Sequence, residues 1–236
     1  MPGGGDRGWR VRWVDEVDST NRVLMEEARG GAEAGAVLVA DHQTAGRGRL
    51  GRSWTAPPGA SLLVSVLLRP AGSVDQAYRL TMAAGLAAAT AAEEVAGVRP
   101  DLKWPNDLVV DDRKLAGLLA ESVLSGRTLE VVVVGMGMNV AWAPEGAACL
   151  GAGVDRRQVL DAFLASFATE LADLDGVPGR YRSRCSTIGR RVRVELPDGS
   201  VEGTAVDVGP DGRLEVDVAG SRRSFAVGDV VHLRPQ

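Results

Sequence analysis

The sequence has little of what metal and nucleophile chemistry uses. Of its 236 residues only two are cysteine, Cys149 and Cys185, and two are histidine, His42 and His232. None has the paired spacing a zinc site needs, and the histidines lie too far apart in the chain to suggest a histidine-based triad. Both cysteines read as packing residues, because free cysteine is usually buried. Long apolar runs are also missing. No stretch approaches the ~20 residues of a membrane span. Met1-Pro2-Gly3-Gly4-Gly5-Asp6-Arg7 has no signal-peptide core, so a cytoplasmic location is expected. Nor is there a basic excess: 27 Lys and Arg face 31 Asp and Glu, a formal charge of −4, which argues against a protein that coats nucleic acid.

What is present is ordinary globular composition, 45% hydrophobic and 25% charged, enough for one large domain or a domain with a small appendage. Asp18-Ser19-Thr20-Asn21 is a cluster of N-cap types, followed by apolar positions and Gly30-Gly31, which predicts a short helix. Residues 36–40 and 61–68 are β-type runs. Residues 74–95 carry Leu80, Ala83, Ala84, Ala87 and Ala91 at helical spacing. Residues 102–110, 115–124 and 129–140 predict three strands, the last two joined as a hairpin at Ser125-Gly126-Arg127, with Val131 to Val134 central and buried. Asp155 caps a further helix, and a short one follows Pro178. From Ile188 the pattern changes to short alternating runs, 192–196, 203–208, 214–218 and 223–227, two of them set off by Pro197-Asp198-Gly199 and Pro210-Asp211-Gly212. The expectation is an α+β domain over 1–187 and a small antiparallel barrel over 188–236.

Between the two β-runs lies Gln43-Thr44-Ala45-Gly46-Arg47-Gly48-Arg49-Leu50-Gly51-Arg52-Ser53-Trp54. Three arginines separated by glycines suit neither a packed strand nor a helix. They suit a lid that closes over anions, since glycine permits close backbone approach and the guanidinium matches phosphate or carboxylate. Gly46-x-Gly48-x-x-Gly51 also spells a dinucleotide fingerprint, but that loop must open into a helix, and Pro57-Pro58 forbids one. Three more segments are unusual. Lys103-Trp104-Pro105-Asn106-Asp107 sets a cation, an amide and a carboxylate on a stiffened chain. Lys114 enters an apolar strand near Gly117. Gly135-Met136-Gly137-Met138-Asn139 ends a buried strand where glycine leaves room for a ligand.

Taken in order, these segments resemble the catalytic domain of bacterial biotin-protein ligases over residues 10 to 185, and the barrel resembles that family's C-terminal SH3-like domain. The resemblance implies a class II synthetase-like fold with a mixed sheet and helices. Because the chain starts close to its first motif, it also implies the ligase-only class, without a DNA-binding domain. Leu50 between the arginine and glycine positions, and Met136 and Met138 in place of smaller or branched neighbours, depart from the pattern without removing a charge or a glycine.

By resemblance, biotin and MgATP give biotinyl-5′-AMP, and a lysine of a biotin carboxyl carrier protein then takes the biotin. Biotin contacts are expected from Ser19, Thr20, Asn21, Gln43, Gly46, Arg47, Gly48, Arg49, Trp54, Lys114, Gly117 and Gly137. ATP contacts are expected from Arg49, Arg52, Trp54, Lys103, Asn106, Lys114 and Asn139. Catalysis would rest on Arg49, Lys114 and Asp107, with Asp107 orienting the incoming lysine, pairing with a cation, or meeting Mg²⁺ through the phosphates. Trp104 is expected in the core. Monomer and homodimer both stay open. A lipoate-protein ligase shares the fold and adenylate chemistry but has no ureido ring to engage Ser19, Thr20 and Gln43; a non-catalytic nucleotide- or biotin-binding module is the reading from another class.

Overall fold

The computed structural model describes residues 8–70, 72–74, 76–196, 199–226 and 228–233. The Met1–Arg7 segment, the Pro197-Asp198 part of the first barrel turn and Val227 at the end of the last predicted strand lie outside them.

Among the described residues the chain builds two sheets. The first contains β1 (Arg10–Val17), β2 (Ala36–Gln43), β3 (Ser61–Leu68), β4 (Gly72–Ser73), β5 (Asp101–Lys103), β6 (Asp107–Val110), β7 (Arg113–Ser125) and β8 (Thr128–Asn139). Its order is β1-β2-β3-β8-β7-β6-β5, with β4 on β8. β1 pairs with β2 in parallel and the remaining pairs are antiparallel, so the sheet is mixed. The segment expected as one strand over 102–110 is two. The chain turns at residues 104–106 and Lys103 pairs back to Asp107, because Pro105 has no N–H to offer a ladder. β1 was not expected at all. Its run of arginines and acids is half exposed, as suits a charged edge strand.

α1 (Thr20–Arg29) starts after Ser19 and stops at Gly30, as its sequence predicts. α2 (Gln76–Ala96) and α3 (Arg156–Ala172) cover one face of the sheet, with Val64, Val66, Ala83, Ala87, Phe163 and Phe167 in a common core. Alanine on α2 brings its backbone close to the strands. Asp155 accepts a hydrogen bond from the Arg157 N–H, 2.8 Å, and caps α3. α4 (Val177–Arg184) carries Pro178 in its first turn, where a missing N–H costs nothing. α1 covers the opposite face, placing Leu24, Met25 and Ala28 on Leu38, Leu67, Val131 and Val133. With both faces covered, every residue of β3 is buried.

The second sheet consists of β9 (Arg191–Leu196), β10 (Gly199–Val208), β11 (Leu214–Val218), β12 (Ser221–Phe225) and β13 (Asp229–His232), in the order β12-β11-β10-β9-β13. β13 is the strand the sequence reading omits. Trp104, 2% exposed, belongs to the same buried cluster as Val192, Leu214 and Val216 of this sheet. Its Nε1 donates to the Gly212 carbonyl, 2.8 Å, and its backbone N–H to Thr187 Oγ1, 3.1 Å. The Tyr78 hydroxyl donates to the Ala226 carbonyl, 2.7 Å. The small sheet is therefore pinned against the segment that carries Asn106 and Asp107. No helix among the described residues is long and apolar enough to cross a membrane.

Candidate active site

The arginine segment folds into a tight loop. Gly48 N–H donates to the Arg52 carbonyl, 2.7 Å, and Trp54 N–H to that of Gly46, 2.9 Å, around a single 3-10 turn at Arg49–Gly51. Leu50 has φ 55°, a left-handed conformation that costs a leucine about 1–2 kcal/mol, so the surrounding bonds hold this turn in place. A Cβ on Gly46 would collide with the Trp54 carbonyl, which explains glycine at the neck of the loop. No helix follows before β3, consistent with rejection of the dinucleotide fingerprint.

The floor is the α1 face of the sheet. On β8, Gly135 and Gly137 point to this face; Gly137 lies opposite Gly117 and Gly135 opposite Leu119. A Cβ at Gly137 would sit 2.5 Å from Trp54 Cε2, and one at Gly135 would collide with the Asn21 carboxamide. The room those glycines create is thus filled first by Trp54 and Asn21, which form the walls of the pocket.

A register shift places the lysine. Val109 opposes Lys114, Leu108 opposes Ala116 and Asp107 opposes Gly117, so Leu115 is one residue extra on β7. This bulge turns Lys114 onto the face that already holds Gly117 and Asp107. Lys114 Nζ is 2.7 Å from Asp107 Oδ1 and 5.8 Å from the centroid of the Trp54 ring. The ammonium approaches off the hydrogen-bonding direction, leaving Oδ1 ion-paired but without an aligned donor.

The polar end is ordered by bonds distant in sequence. The Thr20 N–H (2.7 Å) and hydroxyl (3.0 Å) both lie against Gln43 Oε1, which fixes the amide with its oxygen engaged and its amino group as the end with protons to donate. Ser65 Oγ lies 2.7 Å from Thr20 Oγ1 and 2.6 Å from Asn21 Oδ1. Asn21 Nδ2 donates to the Leu119 carbonyl, 3.1 Å, and to Glu121 Oε2, 2.9 Å, so Asn21 is fully engaged as a buttress. Ser19 is buried at the helix start, yet its hydroxyl makes no capping bond.

The three loop arginines differ in their partners. Arg47 Nη1 is 3.1 Å from Glu121 Oε1, and Arg52 pairs with Asp229 of β13. Among the described residues Arg49 has only long neutral contacts, 3.3 Å to Asn106 Oδ1 and 3.4 Å to the Gly228 carbonyl. Burial pushes its guanidinium below the ordinary arginine value, while Tyr78, Asp229 and Asp107 pull it back in part. A desolvated cation with weak neutral acceptors favours an incoming anion.

Together these groups line one cavity of about 810 Å³, open mouth included. It brings together Ser19, Thr20, Asn21, Gln43, Arg47, Gly48, Arg49, Arg52, Trp54, Asn106, Asp107, Lys114, Gly117 and Gly137. Three expected residues do not line it. Gly46 acts at the loop neck. Lys103 stands towards His232, whose protonation it opposes. Asn139 is buried, and its Nδ2 donates to the Ala148 carbonyl, 2.9 Å, and to that of Lys114, 3.4 Å. Leu50, Ser53, Leu118, Leu119, Gly135, Met136 and Asp229 complete the lining. Strand alternation from Gly117 points to Leu119 and Glu121; nothing in the sequence points to Asp229, which meets Arg52 across 177 positions. Among the described residues no three His, Cys, Asp or Glu side chains gather as a metal set.

The biotin/lipoate A/B protein ligase family matches residues 13–139, and the biotin protein ligase C-terminal domain matches residues 187–233. A biotin--[acetyl-CoA-carboxylase] ligase of Mycobacterium tuberculosis is 40% identical, with 98% of this chain and 92% of that protein aligned. One from Paracoccus denitrificans is 35% identical over 80% of this chain and 84% of its own. The biotin protein ligase of Aquifex aeolicus in complex with biotin and ATP superposes with a TM-score of 0.78 at 30% identity, covering 95% of this chain and 99% of that one. With this cavity, these two matched regions and these relatives, the chain belongs to the biotin protein ligases of the biotin/lipoate A/B protein ligase family.

Proposed function

We propose that the cavity takes biotin at its α1 end and ATP phosphates at its arginine end, and that the protein is an ATP-dependent biotin-protein ligase. The observation that carries this reading is the pairing, in one cavity, of the oriented Gln43 amide with an Arg49 that meets only neutral acceptors among the described residues, Lys114 lying in the same cavity. Gln43, Ser19 and Thr20 read the ureido ring, while Asn21 holds them in place. Trp54 and Gly117 shape the apolar part, and Gly137 seats Trp54. Arg47, Gly48 and Arg49 form the lid over biotin and the adenylate.

The biotin carboxylate oxygen attacks the α-phosphorus, the bond to the β-phosphate breaks, and pyrophosphate leaves. No side-chain nucleophile is needed. Bringing the carboxylate to the triphosphate opposes like charges at about 4 kcal/mol per pair at 4 Å and an effective dielectric near 20. Lys114 and Arg49 offset that repulsion at the reacting centre, with Arg52 further along the phosphates. Asn106 and Asn139 line or support the nucleotide side, and Lys103 acts from behind it. Once phosphate engages Lys114, Asp107 is released to orient the incoming lysine and accept its proton. That lysine has an unperturbed pKa near 10.4 and carries little free amine at neutral pH. The amine attacks the acyl carbon, the acyl–phosphate bond breaks, and AMP leaves.

Mg²⁺ neutralises phosphate charge when bound. The cavity offers two lining carboxylates, Asp107 and Asp229, each paired with a cation, so they fit an ion held chiefly by phosphate oxygens, with Asp107 as the protein carboxylate that would meet it. The acceptor is a biotin carboxyl carrier protein of a carboxylase, in the cytoplasm, without DNA or membrane partners, the enzyme working as monomer or homodimer. Residues 1–187 form the catalytic unit and 188–236 the SH3-like barrel, which lends Asp229 to the nucleotide side. The test is pyrophosphate release and transfer to a purified biotin carboxyl carrier protein in the presence of biotin and MgATP. Release dependent on both substrates and biotin on the carrier lysine are expected; ligand binding without pyrophosphate would overturn the proposal.

A further inference from the structure

Glu121 lies on β7 with its side chain 28% exposed, and its two oxygens serve different elements. Oε2 accepts from Asn21 Nδ2, 2.9 Å, and Oε1 is 3.1 Å from Arg47 Nη1. From Asn21 the contacts continue to Ser65, whose hydroxyl can donate to Asn21 Oδ1 while the Thr20 hydroxyl donates to Ser65, and then through the Thr20 N–H to Gln43. A single polar chain thus runs from the arginine loop, through β7, α1 and β3, to the amide at the end of β2. Its links join residues 100, 44, 45 and 23 positions apart, so they are not by-products of local structure.

We infer that Glu121 is a positioning residue for biotin capture, coupling closure of the arginine loop to the orientation of Gln43. The inference rests on the ligase reading above. With Arg47 in place the carboxylate is neutralised and Asn21 is held; Asn21 and Ser65 then steady Thr20, and Thr20 holds the Gln43 oxygen. With Arg47 swung away, Glu121 presents an unpaired negative charge beside a cavity meant for a carboxylate and a triphosphate. Closing the loop therefore both removes that repulsion and fixes the ureido reader. Arg49, Arg52 and Lys114 make no bond to Glu121, so the nucleotide side should not sense its loss.

The experiment compares wild type, Glu121→Gln, Arg47→Ala and the double variant for biotin KM, ATP KM, escape of biotinyl-adenylate through a filter, and thermal melting. Glutamine keeps the size and an acceptor for Asn21 but has no charge for Arg47. Glu121→Gln should raise biotin KM and adenylate escape by about tenfold, the scale of a lost charge-assisted bond. ATP KM and the melting temperature should stay close to wild type, and the double variant should be no worse than Arg47→Ala, because residues acting as a unit are not additive. Unchanged biotin KM and escape, fully additive variants, or biotin and ATP KM rising together with a lower melting temperature would each overturn the assignment. Wild type that forms no biotinyl-adenylate would overturn the ligase reading itself, and Glu121 with it, before the variants are compared.

Discussion

Lys114 reaches Asp107 across neighbouring strands because one extra residue, Leu115, turns the lysine onto the active-site face. Without the bulge, alternation would send Lys114 to the other side of the sheet, away from Gly117 and Gly137. The two charges serve different steps. Lys114→Ala removes a cation from the reacting centre and should slow adenylate formation more than about tenfold, at least ~1.4 kcal/mol in the barrier. Asp107→Asn should leave adenylate formation within a few-fold and slow transfer to the carrier. Single-turnover pyrophosphate release, followed by transfer from preformed adenylate, separates the two.

Arg49→Ala should still make adenylate but hold it poorly, since Arg49, whose contacts among the described residues are neutral, is the loop arginine set to engage a bound anion. Bystander proteins added to the reaction should become biotinylated on exposed lysines. Streptavidin blotting of an added non-carrier protein reads this out, and retained selectivity would remove Arg49 from the lid.

Gly137→Ala places a methyl group against the Trp54 indole, 2.5 Å from Cε2. Overpacking of this kind costs about 1–3 kcal/mol, and here it displaces a pocket wall. Biotin KM should rise along with a lower unfolding midpoint in urea, whereas Gly126→Ala at an open turn should leave biotin KM unchanged.

His232 ties β13 to the segment carrying Asn106. Its Nε2 lies 3.1 Å from Thr187 Oγ1, which accepts from the Trp104 N–H, and its Nδ1 faces Asp112 and Arg190. Burial lowers its pKa, with Lys103 and Arg190 adding to the shift and Asp112 opposing it. A lowered value means the unfolded chain takes up the proton first. Stability should therefore fall as pH drops below about 6.5, until the folded histidine titrates as well. Melting curves from pH 8 to 5.5 should show a steeper decline for wild type than for His232→Gln; parallel curves would mean the histidine is not linked to folding.

Much of this was readable from residue types. The capped start of α1, the alanine face of α2, the β7–β8 hairpin and the glycine-arginine loop each have a local signal, and local signals survive folding. Trp104 also lies in the core, as expected. What escaped depends on non-local pairing. β1 hides its strand character under edge charges, the 102–110 run breaks at Pro105, and the Leu115 bulge has no sequence mark. The glycines of β8 suggest room for a ligand, whereas Trp54 and Asn21 occupy that room first. Asp229 joins the cavity only because Trp104 and Thr187 dock the second sheet there.

The most direct measurement is mass spectrometry of the small molecules after incubating the purified protein with MgATP and equimolar biotin and lipoate. Gln43 and Thr20 predict biotinyl-adenylate alone; lipoyl-adenylate, or no adenylate of either acid, would contradict the account.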